Sequence, residues 1–226
     1  MPGQEILLRA IIHQPTWYFI YLFLLLGFFA WIRMYYGNIL TLTAQASVNF
    51  QVANRMFNDN SLLQNQLDRI LYLFYFLSMG FLLYYVELKI ELTPYGLHGW
   101  LLFLFNLALL SGVFLGRIFM LNIAGIVFKR SRILREYLYN IFIFNKLTGM
   151  AILPLLFLLV YTRGILQELF FWLTLVTVCC IFLMRLFRGM EFSYRKEVLI
   201  FYMFLYLCAL EIAPLVLLYR WLEGVL

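Results

Sequence analysis

The residues of greatest chemical interest in this sequence are ionisable and amide side chains inside long apolar stretches. Glu211 is the first of them, in the run Leu-Cys-Ala-Leu-Glu-Ile-Ala-Pro that ends at Pro214. An ionised carboxylate inside a membrane is costly, so Glu211 must face protein or water, be paired, or be protonated. Two interpretations follow, a proton or cation site and a residue that fixes helix packing. Lys146 and Arg117 are its candidate partners.

Amide and basic residues interrupt two further apolar stretches. Asn106 and Arg117 are eleven positions apart, which places them on one face of a helix. Arg117 has the simpler alternative of extending its side chain to the membrane boundary. Asn140, Asn145 and Lys146 fall in another apolar run. They predict either a polar cleft at the cytoplasmic half of the bundle or hydrogen bonds between helices.

Small residues and prolines in these stretches have a bearing on helix packing. Ala108, Gly112 and Gly116 recur every four residues and form a row along which another helix can approach closely. Such a row is typical of ordinary packing and also of a specific dimer interface. Pro154 and Pro214 each remove a backbone hydrogen bond and are predicted to kink their helices. A kink beside a buried carboxylate is a feature of transporter sites as well as of ordinary bundles.

Motifs for catalysis are absent from the sequence. It contains no Ser-His-Asp set, Gly-rich phosphate loop, His-Glu zinc motif or paired acidic motif for phosphotransfer. His13 and His98 both map to the outer side of the predicted topology, and the three cysteines lie in apolar runs where they suit packing. We therefore predict that the protein is not an enzyme and has no catalytic residues, no metal site and no cofactor.

The elements that must position these residues are transmembrane helices. The chain has 226 residues, of which 65% are hydrophobic and 12% charged, whereas soluble domains are about a quarter charged. The apolar residues form blocks of about twenty, the length that crosses a hydrocarbon core. The fold class is therefore all-α, a polytopic membrane helix bundle in one domain over residues 1–226. We expect about six transmembrane helices and one amphipathic segment. The helices are predicted at about 16–36, 67–87, 97–121, 139–161, 165–187 and 198–219, and the amphipathic segment at 38–57.

The basic residues predict the orientation of the bundle. Eleven Lys and Arg residues flank one side of the predicted topology and four flank the other. Because cytoplasmic loops of membrane proteins are rich in Lys and Arg, the first side is predicted to be cytoplasmic and both termini periplasmic. The net charge of +6 is thus explained by topology and does not indicate nucleic-acid binding. The expected partners are the lipid bilayer and either other membrane proteins or further copies of the chain.

Three stretches together resemble a known family. They are Ala46–Phe50 with Arg55, Arg135–Tyr137 with Asn140, Asn145 and Lys146, and Tyr206–Pro214. Their order and spacing resemble an uncharacterised family of six-helix inner-membrane proteins of Bacteroidota, described as a domain of unknown function. The resemblance implies a multi-pass protein of the inner membrane of a diderm bacterium and implies no activity. It also suggests, from the phylum alone, a link to protein-secretion or motility machinery.

Three functional hypotheses arise from these observations. The first is a non-enzymatic membrane subunit of a larger assembly. The Gly-lined helix and the many aromatic residues favour this hypothesis. The second is a small secondary transporter or channel that uses the buried Glu211. The third is an intramembrane enzyme for lipid or isoprenoid substrates, with a phosphate held by four arginines that also serve as topology determinants. Those arginines are Arg132, Arg135, Arg185 and Arg188.

Overall fold

The described part of the chain is entirely helical. A computed structural model describes residues 16–58, 62–90, 99–127 and 131–195. Its helices are α1 (Thr16–Val48), α2 (Phe50–Asn58), α3 (Leu62–Ile90), α4 (Trp100–Val127), α5 (Ser131–Tyr161) and α6 (Ile165–Arg195). These ranges contain no strand, which confirms the predicted all-α class. The predicted helix at 198–219, and with it Glu211 and Pro214, lies outside the described residues, as do His13 and His98.

Four of these helices are long and apolar enough to cross a membrane. The candidate spans are Trp17–Ser47, Gln66–Ile90, Leu138–Tyr161 and Ile165–Gly189. In α4 a shorter apolar stretch covers Trp100–Gly116. Helices suit the interior of a bilayer because their backbone N–H and C=O groups form hydrogen bonds with one another and need no water. The chain is therefore an integral membrane protein with a helix bundle.

Helix α1 changes direction where the sequence predicts the first transmembrane helix to end. Tyr36 has non-helical backbone angles, with φ −127° and ψ 23°, and the helix then resumes as far as Val48. The predicted amphipathic segment at 38–57 is thus divided between the last part of α1 and the separate helix α2. Within α2, Ala53 and Met56 are buried in a small apolar cluster with Ile143 of α5. The apolar side of α2 therefore packs beneath the bundle.

Helix α5 is the central element of the bundle. It contacts each of the other five described helices, and its contact with α6 is the most extensive. The turn between α5 and α6 contains Gly164, whose φ of 65° favours glycine because it has no Cβ. This short turn makes α5 and α6 antiparallel neighbours. Pro154 is exposed within α5, which continues past it to Tyr161.

Two glycines allow the closest approaches between helices. A methyl group on Gly149 of α5 would lie 2.9 Å from the Cα of Tyr75 on α3. A methyl group on Gly80 of α3 would lie 2.7 Å from a methyl carbon of Leu107 on α4. Helix α3 is therefore packed tightly against both α4 and α5.

The bundle has two ends with different chemistry. The aromatic end combines the starts of α1 and α4 with the end of α3, where Trp17 and Tyr18 pack against Tyr84 and Phe103. The charged end, which contains Asp68, Lys146 and Arg188, combines the ends of α1 and α6 with the starts of α3 and α5. Alternating helix directions bring these segments together.

Candidate functional site

The charged end is organised around an ion pair between α3 and α5. Lys146 lies in the span Leu138–Tyr161 and its side chain is only 1% exposed, whereas Asp68, at the start of the span Gln66–Ile90, is 18% exposed. The Nζ of Lys146 donates a hydrogen bond to Oδ1 of Asp68 at 2.5 Å. Such charge-assisted bonds are among the strongest in proteins. The bond compensates part of the cost of burying the ammonium group.

Two tyrosine rings flank the ammonium group of Lys146. Its Nζ lies 5.2 Å from the ring centroid of Tyr72 and 5.6 Å from that of Tyr139. At these distances the negative face of an aromatic ring attracts a cation. The hydroxyl of Tyr72 is buried and has no hydrogen-bond partner among the described residues. The site thus contains an ammonium, a carboxylate and a phenol in close proximity.

Helix α6 brings two arginines to the same end. Nη1 of Arg185 lies 3.5 Å from Oδ1 of Asn145, a long contact at the limit of a hydrogen bond. Nη2 of the buried Arg188 donates to the carbonyl of Ala46 at 3.2 Å. Ala46 lies in the last turn of α1, where carbonyls lack partners within the helix, so Arg188 acts as a cap from another helix. We call the whole set the charged-end cluster. Its members are Asp68, Tyr72, Tyr139, Asn145, Lys146, Arg185 and Arg188.

A second polar group lies at the aromatic end. The buried Asn106 of α4 donates through Nδ2 to Oε2 of Glu87 on α3 at 2.6 Å. Nearby, Gln167 of α6 donates to the hydroxyl of Tyr85 at 2.6 Å. The ammonium of Lys89 lies 4.0 Å from the ring centroid of Phe171. These contacts join α3 to α4 and α6.

The predicted polar residues are therefore distributed over both ends of the bundle. Asn145 and Lys146 meet in the charged-end cluster, and Asn140 lies one turn earlier, where its amide donates to the backbone carbonyl of Glu136 at 3.1 Å. Asn106 is at the opposite end. The side chain of Arg117 and all of Glu211 lie outside the described side chains. The suggested pairing of Glu211 with Lys146 stays a prediction, and among the described residues Lys146 is paired with Asp68.

Sequence reasoning missed Asp68 and Tyr72. Asp68 follows a polar segment and sits at a predicted helix boundary, where a charge is ordinary, so the sequence does not mark it as a site residue. One signal was present: Asp68 and Tyr72 are four residues apart and share a helix face. Only the packing of α3 on α5 identifies Lys146 as their common neighbour.

The row of small residues on α4 faces away from the described helices. Ala108, Gly112 and Gly116 are exposed, and a methyl group added to either glycine would have no atom of the described chain within 4 Å. A role for this row in packing stays a prediction. Of the arginines suggested for phosphate binding, Arg185 contacts Asn145 and Arg188 contacts the carbonyl of Ala46. The side chains of Arg132 and Arg135 lie outside the described residues.

The groups available at the charged end form ion pairs and hydrogen bonds between helices. Among the described residues, no group of three or more His, Cys, Asp or Glu side chains could hold a metal ion. The carboxylate of Asp68, by contrast, is within bonding distance of an ammonium and partly accessible.

The apolar spans and the buried charged groups define an α-helical integral membrane protein. Residues 18–222 match a family model described as a domain of unknown function, DUF4271, and the chain belongs to that family. The predicted resemblance to a domain of unknown function is thereby confirmed. No curated protein and no solved structure matches the chain.

Proposed function

We propose that this protein is a non-enzymatic subunit of a larger assembly in a bacterial inner membrane. The observation that carries the proposal is the exposed row Ala108, Gly112 and Gly116 on α4. Small residues on a transmembrane helix allow another helix to approach closely, and this gives van der Waals contact that lipid does not match. We therefore place a partner helix on this face.

The surroundings of the row fit a membrane partner. The exposed side chains near it on α4 are apolar and include Val113, Leu115 and Phe119. They suit contact with another transmembrane helix, with lipid at the margins. The proposed topology has the charged end in the cytoplasm and both termini in the periplasm. The excess of Lys and Arg on the side of the charged end supports this orientation. A link to the secretion or motility machinery of Bacteroidota rests on the family resemblance alone.

Purification of the tagged protein from native membranes in mild detergent tests the proposal. Mass spectrometry should identify a stoichiometric set of membrane proteins with the wild type and lose it with Gly112→Leu, because the larger side chain separates the helices. Gly27→Leu on α1 is the matched control, since Gly27 is also exposed and an added methyl group there would also have no atom of the described chain within 4 Å. Both variants should keep the wild-type melting temperature. Recovery of the wild type only as a monomer or homodimer would count against an assembly.

A small secondary transporter or channel is the second candidate. The observation in its favour is the Asp68–Lys146 ion pair within the membrane spans, since ionisable residues there commonly mark ion or proton pathways. Glu211 remains the sequence-based candidate for coupling. Proteoliposomes loaded with a pH-sensitive dye should show proton flux for the wild type and a loss of flux for Glu211→Gln. A wild type that does not change the internal pH would contradict proton-coupled transport.

A further inference from the structure

We propose that the predicted helix at 198–219 docks on α6 and that the carboxylate of Glu211 pairs there with the guanidinium of Arg185. The inference gives Glu211 a partner within the chain. It goes beyond membership of an assembly and does not depend on it. Its starting point is the surface of α6, which contains the least buried of the four candidate spans.

The end of α6 limits where the following segment can pack. Helix α6 ends at Arg195, and only Lys196 and Glu197 separate it from the predicted helix. Connections of two to five residues join antiparallel helices that lie side by side. The span Ile165–Gly189 and the predicted helix are each long enough to cross the membrane once. The segment 198–219 is therefore expected to return through the membrane along α6.

A large part of the surface of α6 is not covered by the described helices. Its exposed apolar side chains include Leu173, Val176, Leu183, Met184 and Phe187. Phe182, Arg185 and Leu186 are half-buried and form the margin between this surface and the side that packs on the bundle. Lipid covers apolar side chains as well as another helix does, so a polar contact is what favours one docking position over others. Among these marginal residues, Arg185 is the one that offers a charge.

Glu211 and Arg185 lie at nearly the same depth in this arrangement. Glu211 is thirteen residues past the start of the predicted helix, and Phe182 is thirteen residues before the end of α6. At about 1.5 Å per residue, both positions are roughly 20 Å from the turn. The guanidinium of Arg185 already reaches this level, because its Cζ lies 5.7 Å from the ring centroid of Phe182. The two opposite charges are therefore expected side by side.

The other basic side chains near this depth are engaged elsewhere. An ionised carboxylate within a membrane span must be paired or reach water. Lys146 is held by Asp68, and Arg188 donates to the carbonyl of Ala46. The contact of Arg185 with Asn145, in contrast, is long at 3.5 Å. A guanidinium has five N–H donors, so Arg185 can keep this contact while it binds a carboxylate through two others.

The pair connects the segment 198–219 to the charged-end cluster. Arg185 contacts Asn145, which is the neighbour of Lys146 in α5. Glu211 then contributes a second carboxylate beside that of Asp68, so two acidic groups face the basic side chains of the cluster. A charge that is costly in lipid thus fixes the position of the helix that carries it.

Cysteine cross-linking in native membranes tests the docking. In a full-length variant with all three cysteines replaced by Ser, Leu186→Cys and Leu207→Cys each lie nine residues from the turn. They are also four residues from Phe182 and Glu211 and share a helix face with them. Mild oxidation should therefore join the two cysteines within one chain, and mass spectrometry of the linked peptides measures the yield.

Leu205→Cys is the matched control for this experiment. It lies two residues from Leu207 and thus on the opposite face of the predicted helix, so it should link to Leu186→Cys several-fold less. Equal yields for the two pairs, or no linkage in either, would overturn the docking. Linkage only between two copies of the chain would place the helix on a neighbouring subunit and would overturn it as well.

Thermal unfolding tests the ion pair separately. Arg185→Gln and Glu211→Gln should each lower the melting temperature, because each leaves the opposite charge without its partner in the membrane. The double variant Arg185→Gln/Glu211→Gln should regain most of the loss. Arg69→Gln, which removes an exposed arginine of α3, is the matched control, and its effect should add to that of Glu211→Gln.

Two outcomes of the unfolding experiment decide the pairing. Additive losses for Arg185→Gln and Glu211→Gln would overturn the ion pair even if the cross-link forms. If the single variants do not fold, recovery of a folded double variant would support the pair, and failure of the double variant to fold would overturn it.

Discussion

Gly149 of α5 lies so close to α3 that an added methyl group would be 2.9 Å from the Cα of Tyr75. The neighbouring atom belongs to the backbone and cannot rotate away, as the end of a side chain can. The contact lies one turn from Lys146, so it sets the distance between the two helices that carry the ion pair.

Gly149→Ala should therefore destabilise the protein by about 1 to 3 kcal/mol, the usual cost of overpacking a close contact. Gly80→Ala should cost less, because the atom it meets is a methyl carbon at the end of the flexible Leu107 side chain. Gly112→Ala, with no atom of the described chain within 4 Å, is the control. The free energy of unfolding in mixed micelles measures all three. A larger loss for Gly112→Ala than for Gly149→Ala would contradict this ranking.

Breaking the buried ion pair should be much more harmful than removing it. Asp68→Asn leaves the ammonium of Lys146 buried without a counter-charge, and a loss of about 3 to 5 kcal/mol is expected. Lys146→Gln should cost less, because Asp68 retains some contact with water. The double variant Asp68→Asn/Lys146→Gln should recover much of the loss. A double-mutant cycle of unfolding free energies measures the coupling, and additive losses would show that the two residues do not interact.

The sequence predicts an all-helical membrane fold because lipid imposes a strong and local constraint. An apolar block long enough to cross the membrane must be helical or closed into a barrel, so the segments around 67–87, 139–161 and 165–187 are recognisable one at a time. The kink at Tyr36 also falls at the predicted end of the first helix. The continuation of α1 to Val48 differs from the prediction, because the polar residues after Gly37 indicate a separate amphipathic segment at 38–57.

The partners of the polar residues could not be predicted in the same way. Lys146 is conspicuous in the sequence because a lysine in an apolar run is unusual, but its partner Asp68 lies 78 positions away. Such a pair depends on how two helices are rotated and shifted against each other. The close-packing glycines show the same limit: the regular row on α4 is prominent in the sequence, whereas Gly149 and Gly80 belong to no repeated pattern.

The hydrogen bond between Asn106 and Glu87 should contribute to stability at the aromatic end. Asn106→Leu keeps the volume but removes the donor at 2.6 Å from the carboxylate, so a loss of about 1 to 2 kcal/mol is expected. Asn145→Leu is the comparison, because its contact with Arg185 is 3.5 Å long and should contribute less. Unfolding in mixed micelles measures both. Equal losses would mean that the length of the bond does not determine its contribution here.

The docking of α2 on α5 predicts a pattern of thiol accessibility. In a variant with Cys179, Cys180 and Cys208 replaced by Ser, Gln51→Cys should react with a water-soluble maleimide because Gln51 is exposed. Ala53→Cys should be protected, since Ala53 is buried against Ile143. A further substitution, Ile143→Ala, should increase labelling of Ala53→Cys by loosening the cluster. Equal labelling of positions 51 and 53 in the parent protein would contradict the docked arrangement.

The orientation of the bundle is open to a direct test at its two ends. Arg163 lies in the turn between α5 and α6 at the aromatic end and is exposed, whereas Gln51 lies beyond α1 at the opposite end. If the charged end faces the cytoplasm, Arg163→Cys should react with a membrane-impermeant maleimide in spheroplasts and Gln51→Cys should not. Gln51→Cys should react only after the membrane is opened by detergent, which also controls for intrinsic reactivity. The reverse pattern would place the charged end on the periplasmic side and contradict the proposed orientation.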